Sequence, residues 1–263
     1  MTILERLRDS TLGRSIIRNP KRVTPRDRAA GHWSNFFLHI YPVKVKRAEV
    51  GFRYSWYLGV ISAVLFGSLV ASGIYLMFFY VPSPAQAYTD LQTIQTEVAF
   101  GQYVRNVHRW SAHLMVIAVA AHMARVFYRG AYKSPKEFNW VIGVVLLVVT
   151  LLLSFTGYLL PWDQLAYWAI TVGTSMAGYV PYMGETVQEI LLGGTTVSSA
   201  TLLRFYVLHV AVLPVALVLV LAVHLWRWRK DSMLDQGEVP APTRKDSMPD
   251  ANSMLDQDGG AHG

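Results

Sequence analysis

The stretch His108–His122 reads HRWSAHLMVIAVAAH, a mostly apolar run that begins and ends with histidine. The end histidines are 14 positions apart, and a third, His113, lies between them. In an α-helix, 14 positions return a side chain to within about 40° of its starting direction. The two end histidines therefore project from one helical face, about 21 Å apart along the axis.

A second apolar stretch repeats the pattern with His209 and His224, which are 15 positions apart. In a straight α-helix, 15 positions return a side chain to within about 60° of its starting direction. This second pair is also expected to project from one face of its helix. An ionisable residue inside such an apolar segment is costly and by default indicates function.

The composition places these stretches in a membrane. Of the 263 residues, 52% are hydrophobic and 16% are charged, whereas charged residues make up about a quarter of an ordinary soluble domain. Four apolar stretches are each long enough to span about 30 Å of hydrocarbon. They are Trp56–Tyr80, Val104–Phe127, Trp140–Leu160 and Phe205–Trp226. The chain is therefore predicted to be an all-α membrane protein, a bundle of four transmembrane helices.

The charges predict the orientation of the bundle. Twelve of the 24 Lys and Arg residues precede the first span, while the loops 81–103 and 161–203 contain none. Positive charge collects on the cytoplasmic side of membrane proteins, so both termini are expected in the cytoplasm, across a bacterial inner membrane. The same distribution argues against nucleic acid as the partner of this chain of net charge +7.

The predicted spans divide the chain into three regions. Residues 1–53 form a basic cytoplasmic segment, in which Met1–Asn19 has the pattern of an amphipathic helix. This helix could lie on the membrane, be solvated, or bind a partner. Residues 54–230 form the four-helix domain, and its third loop is expected to contain short helices at Asp163–Tyr179 and Gly184–Leu192. Residues 231–263 form a polar tail that is predicted to be disordered.

The histidines fall into two tiers. Spans two and four both run from outside to inside, so His108 lies level with His209, and His122 with His224. Neutral imidazole suits zinc, copper or haem iron. Two imidazoles per tier, without a nearby carboxylate and in a chain without cysteine, favour two non-covalent b-type haems.

Glycines and arginines fit the same interpretation. Glycines recur at the 14-residue interval in spans one and three, where they would make room for a haem at each tier. They are Gly59 and Gly73 in span one, and Gly143 and Gly157 in span three. Three arginines next to the histidines could pair with haem propionates: Arg105, Arg125 and Arg204. The glycines could instead serve helix packing alone, and the arginines could be ordinary boundary residues.

Together these residues resemble a known family. The carriers are VRNVHRW (104–110), AHMARVFYRGAYKSPKEFNWVIGVV (121–145), TGYLLPWDQLAYWA (156–169), PYMGETVQEILLGG (181–194) and TLLRFYVLHVAVLP (201–214). From Val50 to Lys230 the chain resembles the N-terminal, four-helix half of cytochrome b from Rieske/cytochrome b complexes. It is most similar to the split cytochrome b6 type, in which the second histidine pair has the same 15-residue spacing.

The resemblance implies a function. His108 and His209 would ligate an outer, low-potential haem, and His122 and His224 an inner, high-potential haem. Quinol would be oxidised at an outer pocket, one electron passing to a Rieske iron–sulfur protein and the other through the haems to an inner quinone site, coupled to proton translocation. Candidate quinone-site residues are Pro161, Trp162, Tyr167, Ala169 and Arg229.

The resemblance also implies partners. The chain has no Pro-Glu-Trp-Tyr motif, which lies in the C-terminal half of the family, so a separate subunit IV-like fragment is expected. A c-type cytochrome or a plastocyanin-like protein would accept the outer electron, in a complex expected to be dimeric. Tyr57 stands where cytochrome b6 has a haem-tethering cysteine, which excludes a covalent third haem there and leaves a non-covalent one open.

Two other functions stay open at this point. One is a dihaem membrane anchor for a different quinone-linked dehydrogenase or reductase, and the other is a transporter or proton channel that uses histidines as relays. The remaining histidines are expected to be packing or surface residues: His32, His39, His113 and His262.

Overall fold

The protein is described by a computed structural model that covers residues 56–134 and 136–234, with side chains described as far as residue 228. In chain order its helices are α1 Leu58–Met77, α2 Ala87–Thr96, α3 Gly101–Tyr128, α4 Glu137–Leu159, α5 Gln164–Gly178, α6 Gly184–Leu192, α7 Ser199–Val207 and α8 Leu213–Leu234. A π-helical turn, Leu208–Val212, joins α7 to α8. The predicted helix Met1–Asn19, the predicted disordered tail beyond residue 234, and His32, His39 and His262 lie outside the described residues.

The four predicted spans are present as helices. Helices α1, α3 and α4, and the continuous segment Ser199–Trp228, are each long and apolar enough to cross a membrane. Local chemistry sets their ends. Helix α3 ends just before Gly130, whose φ of 65° is a left-handed conformation that suits glycine. Helix α4 begins at Glu137, whose carboxylate faces the positive end of the helix dipole, and it ends two residues before Pro161.

The bundle is built from two pairs of helices. Helix α1 packs along α3, helix α8 packs along α4, and α3 also contacts α4. Small polar residues line the first interface, where the hydroxyl oxygens of Ser68 and Ser111 are 3.3 Å apart. Large apolar side chains such as Val64, Ile117 and Leu219 are mostly exposed, as expected for surfaces that meet lipid or other membrane subunits.

The loop helices close one end of the bundle. The two short helices predicted in the third loop are confirmed as α5 and α6. Asp163 caps α5 by accepting a hydrogen bond of 2.8 Å from the backbone N–H of Ala166, and α6 ends at Gly193, whose φ is 79°. Both helices contribute to a buried apolar cluster made of Leu159, Ile170, Leu192 and Phe205.

Helix α2 was not predicted from the sequence. It lies in the first loop, where most side chains are polar and show no strong apolar face. Two of its residues, Ala87 and Ile94, are buried, and the helix contacts α3. Tertiary packing therefore stabilises it.

Candidate haem sites

The first histidine tier is a pair of facing imidazole rings. His108 in α3 and His209 in the π-helical turn have ring centroids 6.2 Å apart, and their planes are inclined by 71°. If each ring placed one nitrogen about 2.0 Å from a metal ion between them, the centroids would be about 6 Å apart. The spacing therefore matches two imidazoles that share one metal ion. We call this pair the outer tier, because the predicted orientation places it near the outer side of the membrane.

The inner tier consists of His122 of α3 and His224 of α8. A glycine of the neighbouring helix lies against each ring. A Cβ atom added to Gly59 would be 3.6 Å from Cε1 of His122, and one added to Gly143 would be 3.6 Å from Cε1 of His224. Each helix pair therefore contributes one ring to the inner tier, held against a glycine of the same pair.

The outer tier has the same glycine arrangement with closer contacts. A Cβ atom on Gly73 would lie 3.3 Å from Cε1 of His108, and one on Gly157 would lie 2.6 Å from Cε1 of His209. All four predicted glycines therefore abut the predicted histidines, one each. The space they leave is occupied by the imidazole of the paired helix, which is a more specific role than general room for a cofactor.

The chemistry of the donors fits haem. Among the described residues, no group of three or more His, Asp or Glu side chains could hold a metal ion. Two imidazoles alone do not complete a tetrahedral protein site of the zinc type. A haem iron needs only axial ligands from the protein, so one facing pair of histidines is sufficient for each haem.

The π-helical turn explains the unequal histidine spacings. A π-helical turn accommodates one extra residue within a helix, so the 15-residue interval from His209 to His224 becomes equivalent to the 14-residue interval of α3. Pro214 is the second residue after the turn and cannot donate a backbone hydrogen bond to the carbonyl of Val210. The straight-helix geometry assumed from the sequence is therefore wrong for this span, while the shared face of the two histidines is retained.

The three predicted arginines lie in different surroundings. Arg204 donates to the carbonyls of Ile190 and Glu189, the latter at 3.3 Å, and so ties α7 to the last turn of α6. The guanidinium of Arg125 lies 4.2 Å from the centroid of the Trp56 ring, a cation–π contact. Arg105 is half-buried in the first turns of α3. Their pairing with propionates stays a prediction.

The quinone-site candidates separate into two groups. Trp162 and Ala169 both pack against the apolar cluster of the third loop, as does Leu208, the residue before His209. Pro161, which directly precedes Trp162, is half-buried. Tyr167 is exposed and makes an edge contact with Trp168, with centroids 5.9 Å apart. The side chain of Arg229 lies outside the described residues.

Sequence reasoning missed three polar contacts. The hydroxyls of Ser72 and Thr156 lie 2.9 Å and 3.2 Å from Nδ1 of His108 and His209, respectively. The phenol of Tyr80 donates to the carbonyl of Leu160 at 2.6 Å and so ties the end of α1 to the end of α4. A signal for the first two was present, because each hydroxyl residue directly precedes one of the predicted glycines.

These features define a class of protein, a four-helix membrane bundle with two tiers of histidines suited to axial ligation of haem. A family model described as Cytochrome b/b6/petB matches residues 44–232. Cytochrome b6 of Heliomicrobium gestii is 44% identical over 178 residues, which are 68% of this chain and 84% of that protein. Cytochrome b6 of Porphyra purpurea is 43% identical over 176 residues, 67% of this chain and 82% of that protein.

A solved structure is also similar. A chain of a hyperthermophilic respiratory Complex III superposes with a TM-score of 0.63 at 31% identity, over 67% of this chain. The match covers 48% of that chain, so this protein spans about half of its length. The protein belongs to the cytochrome b/b6 family, and it is therefore an electron-transport membrane protein of the haem b type.

Proposed function

We propose that this protein is the dihaem cytochrome b subunit of a quinol oxidoreductase of the bc1 or b6f type. The observation that carries the proposal is the pair of facing imidazoles in the outer tier, 6.2 Å apart between ring centroids. The second tier on the same two spans, about 21 Å further along the helices, extends this arrangement across the membrane.

The residues of each tier have distinct tasks in this proposal. His108 and His209 hold the outer haem, and His122 and His224 hold the inner one. The glycines opposite these rings allow the paired helices to approach closely. Each haem iron supplies one-electron redox chemistry. Arg105, Arg125 and Arg204 neutralise propionate charge near the ends of the spans.

The position of the quinone-site candidates supports a direction of electron flow. Trp162 and Ala169 pack on the same cluster as Leu208, next to the outer ligand His209. Quinol oxidation at this end would pass one electron to the Rieske iron–sulfur protein and the other through the residues of the outer and inner tiers to a quinone at the opposite side. Protons would be released at the outer side and taken up at the inner side.

The subunit would work in a complex. We propose a Rieske iron–sulfur protein, a subunit IV-like fragment of cytochrome b, and a c-type cytochrome or plastocyanin-like acceptor as partners, in a dimeric assembly. The likeness to cytochrome b6 over most of that protein's length supports the split type of cytochrome b, in which the second fragment is a separate chain. The charge asymmetry of the loops supports a bacterial inner membrane with cytoplasmic termini.

The test is to purify the complex from native membranes under mild detergent. Haem is counted as pyridine hemochrome per copy of this chain, and co-purifying chains are identified by mass spectrometry. We expect two b haems, a Rieske protein and a second cytochrome b fragment. His108→Leu and His209→Leu should each remove the outer haem, and His122→Leu and His224→Leu the inner one.

Other outcomes would identify the alternatives. A complex with b haem that contains a dehydrogenase instead of a Rieske protein would overturn the proposal in favour of a dihaem anchor. A preparation without haem would overturn it in favour of a transporter or channel.

A further inference from the structure

The two outer histidines have matching surroundings. Helix α1 contains LVASG at residues 69–73, and α4 contains LSFTG at residues 153–157. In each segment the glycine leaves room for the imidazole of the paired helix, and the hydroxyl before it lies near Nδ1 of the same ring. Both hydroxyl residues are buried, with Ser72 7% and Thr156 3% exposed.

The hydroxyl of Ser72 has its hydrogen engaged elsewhere. Its Oγ lies 2.6 Å from the carbonyl oxygen of Ser68, one helical turn earlier, and 2.9 Å from Nδ1 of His108. A carbonyl can only accept, so Ser72 donates its single hydrogen to Ser68. Its oxygen must then accept from His108, which places a hydrogen on Nδ1 of that ring.

Thr156 repeats this arrangement in α4. Its hydroxyl donates to the carbonyl of Leu152 at 2.8 Å, and its oxygen lies 3.2 Å from Nδ1 of His209. The carbonyl oxygen of Leu153 lies 3.1 Å from the same Nδ1. Because a carbonyl cannot donate, His209 also carries its hydrogen on Nδ1.

This hydrogen-bond pattern selects one tautomer for both outer rings. With hydrogen on Nδ1, the lone pair of neutral imidazole is on Nε2. A hydrogen bond from the remote nitrogen fixes the orientation of a ligating imidazole and raises its basicity. Both outer rings are therefore prepared for metal binding in the same way.

The inner tier lacks these hydroxyls. The residues before its glycines are Leu58 and Ile142, whose side chains offer no hydrogen-bonding group. Nδ1 of His224 is buried and makes no hydrogen bond to a side-chain hydroxyl within the described residues. The two tiers thus differ in the support given to their rings, although their glycines are equivalent.

We propose that Ser72 and Thr156 are positioning residues that orient the outer imidazoles and lower the midpoint potential of the outer haem relative to the inner one. The proposal rests on the proposed function, since it requires haem at both tiers. A more basic imidazole is a stronger donor to iron and favours the ferric state, so the two hydroxyls act in the same direction.

The test compares variants in the purified complex. Ser72→Ala and Thr156→Val remove the hydroxyls, and Thr156→Ser keeps one. Matched controls are Thr150→Val and Ser62→Ala, because these hydroxyls also donate to a carbonyl one turn earlier, at 2.8 Å and 2.9 Å, and neither has a hydrogen bond to a histidine. The readouts are redox titration of both haems, EPR of the ferric haems, and haem content.

We expect Ser72→Ala and Thr156→Val to raise the midpoint potential of the outer haem and shift its EPR signal, with the inner haem unchanged. Weaker retention of the outer haem, on the order of 10- to 100-fold, also supports the proposal if Thr156→Ser restores it. The proposal is overturned if the outer haem is unaltered, if both haems shift equally, or if the controls have the same effect. Absence of two haems in the unaltered complex would instead contradict the proposed function.

Discussion

Replacing Gly157 with alanine places a methyl group against the ring of His209. The new Cβ would lie 2.6 Å from Cε1 and 3.1 Å from both ring nitrogens, whereas unstrained contacts are about 3.5 to 4 Å long. The ring must therefore move by roughly 1 Å, although Nδ1 is held by the Leu153 carbonyl at 3.1 Å. Overpacking of this kind costs about 1–3 kcal/mol.

This cost converts into a measurable loss of haem. Because about 1.4 kcal/mol corresponds to a tenfold change in an equilibrium constant, Gly157→Ala should weaken binding of the outer haem by about 5- to 150-fold. The inner tier is a built-in comparison, since a Cβ on Gly59 would be 3.6 Å from His122, an ordinary contact. Gly67→Ala is the control in α1, where nothing lies within 4 Å of the added atom.

The measurement is haem content per chain, resolved into outer and inner haem by redox titration of the purified complex. Gly157→Ala should lose outer haem or alter its potential, while Gly59→Ala and Gly67→Ala should retain both haems. Full retention of the outer haem at unchanged potential in Gly157→Ala would refute the reasoning. A loss in Gly59→Ala as large as that in Gly157→Ala would refute it too.

Three further predictions follow from other contacts. His113 is exposed and contacts Trp110 edge-on, so His113→Leu should leave both haems in the absorption spectrum. Deleting Ala211 from the π-helical turn should leave a regular helix that keeps both haems, whereas deleting Val218 further along should turn the histidines about 100° out of register and lose one. Tyr80→Phe removes a bond to the Leu160 carbonyl and should lower the unfolding free energy by about 1 kcal/mol; an unchanged melting temperature would contradict this.

The pH dependence of the Tyr80 contact has a definite sign. Burial raises the pKa of the Tyr80 phenol above its ordinary value, with a smaller effect of Tyr206 and Asp90. The neutral phenol is therefore favoured in the folded state. Its contribution to stability is complete below about pH 10, the ordinary pKa of tyrosine, and is lost as the pH rises beyond it. The difference in melting temperature between the wild type and Tyr80→Phe should accordingly be constant from neutral pH to pH 9 and shrink above that.

Much of this architecture was predictable because membrane helices leave simple signals. Apolar length marked α1, α3, α4 and α8, since few other structures satisfy the backbone in hydrocarbon. The 14-residue intervals from His108 to His122 and from Gly59 to Gly73 indicated the two tiers. Residues 14 positions apart in an α-helix project in nearly the same direction. Helix α2 gave no such signal, because its stability comes from two buried side chains and from tertiary contact.

The π-helical turn shows why a spacing alone did not determine the geometry. From the sequence, spacings of 14 and 15 residues predict different rotations about the axis of a straight α-helix. The structure removes the difference at Leu208–Val212, which ends two residues before Pro214. Proline therefore has two consequences here: it leaves a carbonyl without its helical partner, and it marks where an extra residue can be accommodated. A residue inserted elsewhere in α8 would have no such site, so the position of His209 within the π-helical turn is what makes its 15-residue spacing compatible with two facing tiers.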